Sequence, residues 1–177
     1  MPATDAANAE RFVKEHRNEL RYVEGLKSWI HFDGKRWCLD RGLAAKRLAK
    51  ETAQRLFAEA EQIRGEKARK RALGWAKTSN MRERLNAMID VAKPELAIST
   101  NQLDVDPILL NVANGTLDLR TRELRPHNPD DFLTKIVPVP YVPGAKCEVW
   151  ERALKKSLPD SRMRGLFQRV MGSALQG

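Results

Sequence analysis

The chain has 177 residues, with 32 lysines and arginines against 23 acids, a formal net charge of +9, 42% hydrophobic residues and two cysteines. This length allows one or two small domains with a hydrophobic core. The first ten residues are polar and small, and no apolar run approaches the roughly 20 residues needed to cross a bilayer. We therefore expect a cytoplasmic protein without membrane insertion or secretion. Cys38 and Cys147 lie far apart without CxxC spacing, which excludes a zinc ribbon or disulfide framework and predicts two reduced core residues.

The excess of positive charge is concentrated in one segment. Residues 41–84 contain 13 lysines and arginines against 5 acids, a surplus of 8, whereas the rest of the chain has 19 against 18, a surplus of 1. A surplus confined to 44 residues favours a surface that contacts polyanions. The alternative is a solvated helical face, which charge alone supports equally well.

The N-terminal third is predicted to form a helix and a hairpin. The pattern indicates a helix from about Ala6 to Val23. Aromatic-rich runs at 29–32 and 36–39 then flank Asp33-Gly34, a dipeptide typical of tight hairpin turns. A two-residue turn would place Phe32 opposite Lys35 and Ile30 opposite Trp37. The predicted core face of this hairpin carries Ile30, Phe32, Trp37 and Leu39.

The basic segment is predicted to be helical. Residues 43–64 contain no Gly or Pro, and their apolar residues cluster on one side at 100° per residue, with Arg47 and Lys50 opposite. Gly65 interrupts this helix, and the densest basic cluster, 66–71, leads from there towards Trp75. A further helix is predicted over 80–92, capped by Thr78 or Ser79 and ended by Pro94.

Beyond residue 95 the pattern changes to short strands and turns. Residues 105–110, 116–119 and 123–125 predict a small antiparallel meander with a first turn at Asn114-Gly115. Five prolines between 126 and 143 indicate a rigid connection with edge strands at most. Two helices, 146–158 and 161–175, complete a predicted α+β fold that is predominantly helical. The second has an apolar stripe formed by Leu166, Phe167, Val170, Met171 and Ala174.

Common catalytic motifs are missing from the sequence. It contains no GxxxxGK[ST], GxGxxG, HExxH or GxSxG, so catalysis by this chain is the weaker interpretation. The isolated histidines 16, 31 and 127 are interpreted as surface or packing residues. Asp104 and Asp106 form a D-x-D pattern that could bind Mg²⁺ from one strand. Because Pro107 follows and no third acid supports the pair, a turn with strand-edge acids is favoured.

Several stretches, in order along the chain, resemble one known family. Residues 4–13, 20–23 and 29–37 are similar to the opening of the domain that precedes the helicase in phage and plasmid primase-helicases. The stretch LDVDPILLNVANGTLDLRT at 103–121, followed by LRPH at 124–127, resembles that family's most characteristic segment. The resemblance extends to residues 141–147 with Trp150, and to residues 166–177, which resemble the lead-in to the ATPase core. The chain thus resembles the N-terminal, pre-helicase domain of poxvirus-type superfamily 3 DNA helicases.

The resemblance implies a mobile-element replication protein that acts on DNA as a ring of identical subunits, with a primase domain or subunit as a possible partner. Arg122 departs from the family, which usually has Gly in that turn. The family's ATP-binding loop would follow soon after Gly177, so we expect the chain to be truncated before the ATPase core. ATP and Mg²⁺ are expected for that helicase domain and no cofactor for this chain. Residues 1–145 are expected to form the accessory domain, and 146–177 a helical lead-in.

Together, the basic segment and the resemblance predict a non-catalytic domain for DNA binding and oligomerisation, which guides single-stranded or forked DNA to the helicase ring. Cations near aromatic side chains suit phosphate contact and base stacking. Core packing is favoured for Trp29, Trp37 and Trp150, while Trp75 suits either role. The candidate DNA contacts are Lys35, Arg36, Lys46, Arg47, Lys50, Lys67, Arg69, Lys70, Arg71, Trp75 and Lys77.

The alternative is a protein-interaction module that links primase and helicase subunits without direct DNA contact. In that case the apolar stripe of the last helix and an exposed Phe57 would form the contacts, and the basic helices would serve only solubility. The two roles can coexist in one domain.

Overall fold

The computed structural model describes residues 3–175, which form six α-helices and seven short strands. The fold is α+β and predominantly helical, as the sequence predicts. The helices are α1 Asp5–His16, α2 Ala44–Glu61, α3 Glu66–Ser79, α4 Arg82–Leu96, α5 Glu148–Ser157 and α6 Ser161–Ser173. The strands are β1 Leu20–Val23, β2 Ser28–Phe32, β3 Trp37–Leu39, β4 Ala97–Ile98, β5 Leu109–Val112, β6 Gly115–Asp118 and β7 Glu123–Arg125.

The main hydrophobic core lies between α1, α2, α4 and β1. Phe12, Leu48 and Met88 are fully buried there. Helix α2 buries most of the side that its periodicity predicts and exposes Arg47 and Lys50 on the other. It ends at Glu61, three residues before the predicted end, and Ile63, which periodicity places on the buried side, is exposed. None of the helices in residues 3–175 combines the length and the hydrophobicity that a membrane span requires.

A four-stranded sheet, in the order β3-β2-β1-β4, packs beside the helices around a second core of Val23, Ile30, Trp37 and Ile98. Trp37 connects this sheet to the segment after the meander. Its Nε1 donates to the Pro129 carbonyl at 2.8 Å, and its ring stacks on Phe132 with centroids 5.7 Å apart.

The predicted meander is confirmed as a three-stranded antiparallel sheet, β5-β6-β7. Asn111, on β5, connects it to the rest of the fold, because its Nδ2 donates to the carbonyls of Lys35 and Lys135 at 2.9 and 3.0 Å. Gly115 is required where β6 begins, since a Cβ there would collide with the Arg125 carbonyl. The proline-rich connection adds one bridge, between Val112 and Val137.

Two predictions for the N-terminal third are wrong in detail. The first helix ends at His16, and Leu20–Val23 is instead strand β1, which pairs with both β2 and β4. The hairpin loop has four residues, because the Asp33 carboxylate accepts hydrogen bonds from two backbone N–H groups in the loop, at 2.8 and 2.9 Å. Phe32 therefore pairs with Trp37 and Ile30 with Leu39. This two-residue shift preserves the predicted faces, although Leu39 is 55% exposed.

Helix α4 also differs from its prediction at both ends. It begins at Arg82 without a side-chain cap, because the Thr78 hydroxyl donates to carbonyls within α3 and Ser79 Oγ accepts from Asn8. It continues through Pro94 to Leu96. The cysteine prediction is likewise wrong for Cys147, which is exposed, and Cys38 is only partly buried.

Candidate nucleic-acid interface

Helix α3 lies at the surface as the second arm of a helical hairpin with α2. Gly65 separates the two helices with φ +99°, a conformation that side chains rarely adopt. Within α3 only Ala76 and Ser79 are buried. Ser79 joins α3 to α1 through the 3.0 Å hydrogen bond from Asn8 Nδ2. Most of α3 therefore faces solvent.

The cations of α3 form no ion pair with the part of the chain that the structure describes. The helix carries five basic residues and one acid, Glu66, and the basic side chains are all exposed. Among residues 3–175, none of these five cations forms an ion pair; α2, by contrast, has an Arg47–Glu51 pair at 2.6 Å. Like charges three or four residues apart destabilise a helix by about 0.2–0.5 kcal/mol per pair. Helix α3 thus maintains an uncompensated positive surface. We call this surface, formed by Lys67, Arg69, Lys70, Arg71 and Lys77, the α3 basic face.

The remaining predicted contacts lie on other elements of the fold. Lys46 and Lys50 are exposed on α2, and Lys46 lines a groove that shares no residue with the cleft beside α3. Arg47 is paired within α2. The hairpin cations belong to another part of the fold, where the Lys35 carbonyl accepts from Asn111 and Arg36 donates to the Thr134 carbonyl at 3.3 Å.

Trp75 is half-buried where α3 meets α1 and α4. The Arg84 guanidinium lies over its ring, 5.3 Å from the centroid, and pairs with Asp5. The hydrogen bond that Arg84 donates to Asp5 raises the pKa of Arg84. Trp75 also lines a cleft of about 370 Å³ between α1, α2 and α3, next to Arg71. Sequence reasoning identified Trp75 but not Arg84, although Arg84 lies within the basic segment.

A second group of aromatic and basic side chains surrounds Lys46. Lys46 lines a shallow groove with Trp29 and Lys93. Trp29 packs edge-on against Tyr22 at 5.2 Å, and the Lys93 ammonium lies over Tyr22 at 5.6 Å. Lys93 also pairs with Asp90 at 2.7 Å. This groove carries less uncompensated charge than the α3 basic face.

The D-x-D acids take structural roles. Asp104 accepts a 2.7 Å hydrogen bond from the Thr134 backbone and another from the Thr134 hydroxyl. Asp106 pairs with Arg120 at 2.8 Å, and the hydrogen bond from Arg120 lowers the pKa of Asp106. In residues 3–175 no group of three or more Cys, His, Asp or Glu side chains could hold a metal ion.

The last two helices form an apolar surface. Helix α6 has no buried residue among those described, and Leu154 is the buried residue of α5. Trp150 is 48% exposed, so the prediction that it packs in the core is wrong. Phe57 is half-buried, not exposed as predicted. We call the exposed surface formed by Val149, Trp150, Met163, Leu166, Val170 and Met171 the C-terminal apolar surface.

The chain matches the model of a known family. A family model described as D5 N terminal like matches residues 9–159, more than four fifths of the chain. The matched range contains the α3 basic face, the cleft beside Trp75 and the meander, and it ends before α6. A comparison with curated proteins finds no match.

Proposed function

The chain belongs to the D5 N-terminal-like family, the N-terminal domain of D5-like primase-helicases, and from this premise we propose that it binds DNA through the α3 basic face. The observation that carries the proposal is the set of five exposed cations on one surface helix without an ion pair in residues 3–175. A helix selected only for solubility would be expected to mix charges of both signs. A polyanion would supply the missing counter-charge.

The length of α3 determines how many DNA phosphates it can contact. Lys67 and Lys77 are ten residues apart, which spans about 15 Å along the helix. DNA phosphates follow one another at about 3.4 Å per strand along a duplex axis. At about 100° per residue, Lys67, Lys70, Arg71 and Lys77 lie within an arc of about 120°, and Arg69 lies about 80° outside it. Four phosphate contacts are therefore within reach of the α3 basic face. Because such contacts do not read bases, the expected binding is independent of sequence.

In this proposal the domain is a non-catalytic part of a mobile-element replication enzyme in the cytoplasm of its host. It guides single-stranded or forked DNA to a helicase ring of identical subunits. ATP and Mg²⁺ serve the helicase domain, and a primase domain or subunit is a further partner. The family membership supports the replication context, and the α3 basic face supports the DNA contact.

Fluorescence anisotropy with labelled single-stranded and duplex DNA tests the proposal. The variant Lys67→Glu/Lys70→Glu reverses two exposed charges of α3 that do not line the cleft. The matched control, Lys155→Glu/Lys156→Glu, reverses two exposed charges on α5. We expect the α3 variant to lose at least tenfold in affinity and the control to bind like the wild type. Equal binding by the α3 variant would refute the proposal.

A second candidate function, protein interaction, is favoured by the C-terminal apolar surface. Leu166, Val170 and Met171 are each about half exposed on α6. Clusters of this kind mark interaction surfaces in soluble proteins. Sedimentation over a concentration range tests this function: Leu166→Asp/Val170→Asp should abolish any self-association of the chain. A DNA-blind oligomer would favour this candidate over the first.

A further inference from the structure

The side chains that line the cleft beside Trp75 are suited to bind a flat, unsaturated ring. It opens between α1, α2 and α3 with a volume of about 370 Å³, within the range of small-molecule sites. Alanines from all three helices keep it open. The side chains that give it chemical character are Asn8, Arg11, Glu59, Arg71 and Trp75.

Trp75 supplies the stacking surface. Arg84, whose guanidinium lies over this ring at 5.3 Å, comes from α4 and does not line the cleft. Arg84 therefore covers indole surface outside the cleft and holds the ring in place through its pairing with Asp5. A ring fixed in this way loses little entropy when a planar ligand stacks on it.

Asn8 supplies a polar group inside the cleft. Asn8 is 2% exposed, and its Nδ2 donates a hydrogen bond to Ser79 Oγ. Its Oδ1 accepts no hydrogen bond within residues 3–175, and it is not one of the side-chain atoms there that are buried without a partner. Because Asn8 lines the cleft, this amide oxygen is available to accept from an N–H group of a ligand there.

The charged side chains have separate roles. Arg11 pairs with Glu59, so these two cleft residues largely compensate one another. Arg71 belongs to the α3 basic face and also lines the cleft. A ligand that combines a flat ring bearing an N–H donor with a neighbouring phosphate matches this arrangement.

We propose that the cleft takes an unstacked base of single-stranded DNA. The base stacks on Trp75, donates an N–H to Asn8 Oδ1, and leaves its phosphate beside Arg71. Paired bases in a duplex cannot enter, so the cleft gives the α3 basic face a preference for single strands. The inference rests on the proposed function, since it presumes that the α3 basic face holds the DNA backbone.

The test compares two probes that carry the same phosphates: an oligothymidylate and an abasic strand of equal length. Thymine offers an N–H donor, and the abasic strand offers no ring. Two single variants, Ala68→Leu and Ala72→Leu, fill the cleft without changing its charge. Because Ala68 is exposed, Ala68→Leu should fold normally. Ala58→Leu makes the same change on the solvent side of α2 as a control.

We expect the wild type and Ala58→Leu to bind oligothymidylate about 5- to 150-fold more tightly than the abasic strand. Both cleft variants should lose this preference while binding the abasic strand normally. Equal affinity of the wild type for the two strands, or an unchanged preference in both cleft variants, would overturn the inference and leave phosphate binding by α3 intact. Absence of binding to either strand would overturn the proposed function itself.

Discussion

Removal of the Asp40 carboxylate should destabilise the start of α2. Asp40 Oδ1 accepts hydrogen bonds of 3.0 Å from the backbone N–H groups of Gly42, Leu43 and Ala44, and Oδ2 accepts one of 2.9 Å from Ala45. These donors include N–H groups at the helix start that have no partner within the helix. Replacement of a capping residue by Ala costs about 0.5–2 kcal/mol, and a charged acceptor with four donors belongs at the upper end. We expect Asp40→Ala to lower the free energy of unfolding by about 2 kcal/mol at pH 7.

The pH dependence gives this prediction a second readout. Burial alone would raise the pKa of Asp40, but the four backbone hydrogen bonds outweigh it and the pKa is lowered. The ionised group therefore stabilises the fold fully above its unfolded pKa of about 3.9. This contribution is lost as the pH falls through the lower, folded pKa. The difference between wild type and Asp40→Ala should shrink over that interval.

Urea unfolding followed by circular dichroism measures both effects. Asp90→Ala is the matched control, because Asp90 is an exposed helical acid with one ion pair, to Lys93. Its removal should change stability by less than about 0.5 kcal/mol. A loss below about 0.5 kcal/mol for Asp40→Ala, or a difference from wild type that does not change with pH, would refute the stabilisation of the start of α2 by the Asp40 carboxylate.

Three further substitutions test particular positions by the same unfolding measurement. Gly74→Ala should stabilise α3 by about 0.5–1 kcal/mol, because a Cβ there meets no atom within 4 Å; a loss of stability would contradict the exposed position of α3. Gly115→Ala should destabilise by about 1–3 kcal/mol through its collision with the Arg125 carbonyl, and a neutral effect would argue against the close β6–β7 approach. Asn111→Ala should cost at least about 1–3 kcal/mol, because two carbonyls lose their donor; a neutral result would show that the meander is attached by other contacts.

The features predictable from the sequence are those set by local spacing. The buried side of α2 and the break between α2 and α3 at Gly65 follow from helical periodicity and from the conformational freedom of glycine. Strand β1 was not predictable in this way, because its pairing with β2 and β4 depends on residues distant in sequence. The hairpin register depended on Asp33, whose carboxylate selects a four-residue loop over the two-residue turn that Asp-Gly favours.

The same division holds for the candidate site. Charge density along the chain was enough to identify Lys67, Lys70 and the rest of the α3 basic face. The cleft was not predictable, because it arises where α1 and α2 meet α3. Asn8, which lines the cleft, and Arg84, which contacts Trp75 from outside it, come from helices on either side of α3 in sequence. Periodicity places a residue on a face of its own helix but says nothing of what that face meets.

The salt dependence of DNA binding tests the central claim most directly. If four phosphates are neutralised, the logarithm of the association constant should fall with the logarithm of the salt concentration at a slope of about −2.8 for a single strand or about −3.6 for a duplex. Lys67→Glu/Lys70→Glu removes two phosphate contacts and should therefore reduce the magnitude of the single-strand slope by about 1.4. The control Lys155→Glu/Lys156→Glu should leave the slope unchanged. A slope near zero in the wild type, or an identical slope in the α3 variant, would contradict DNA binding by the α3 basic face.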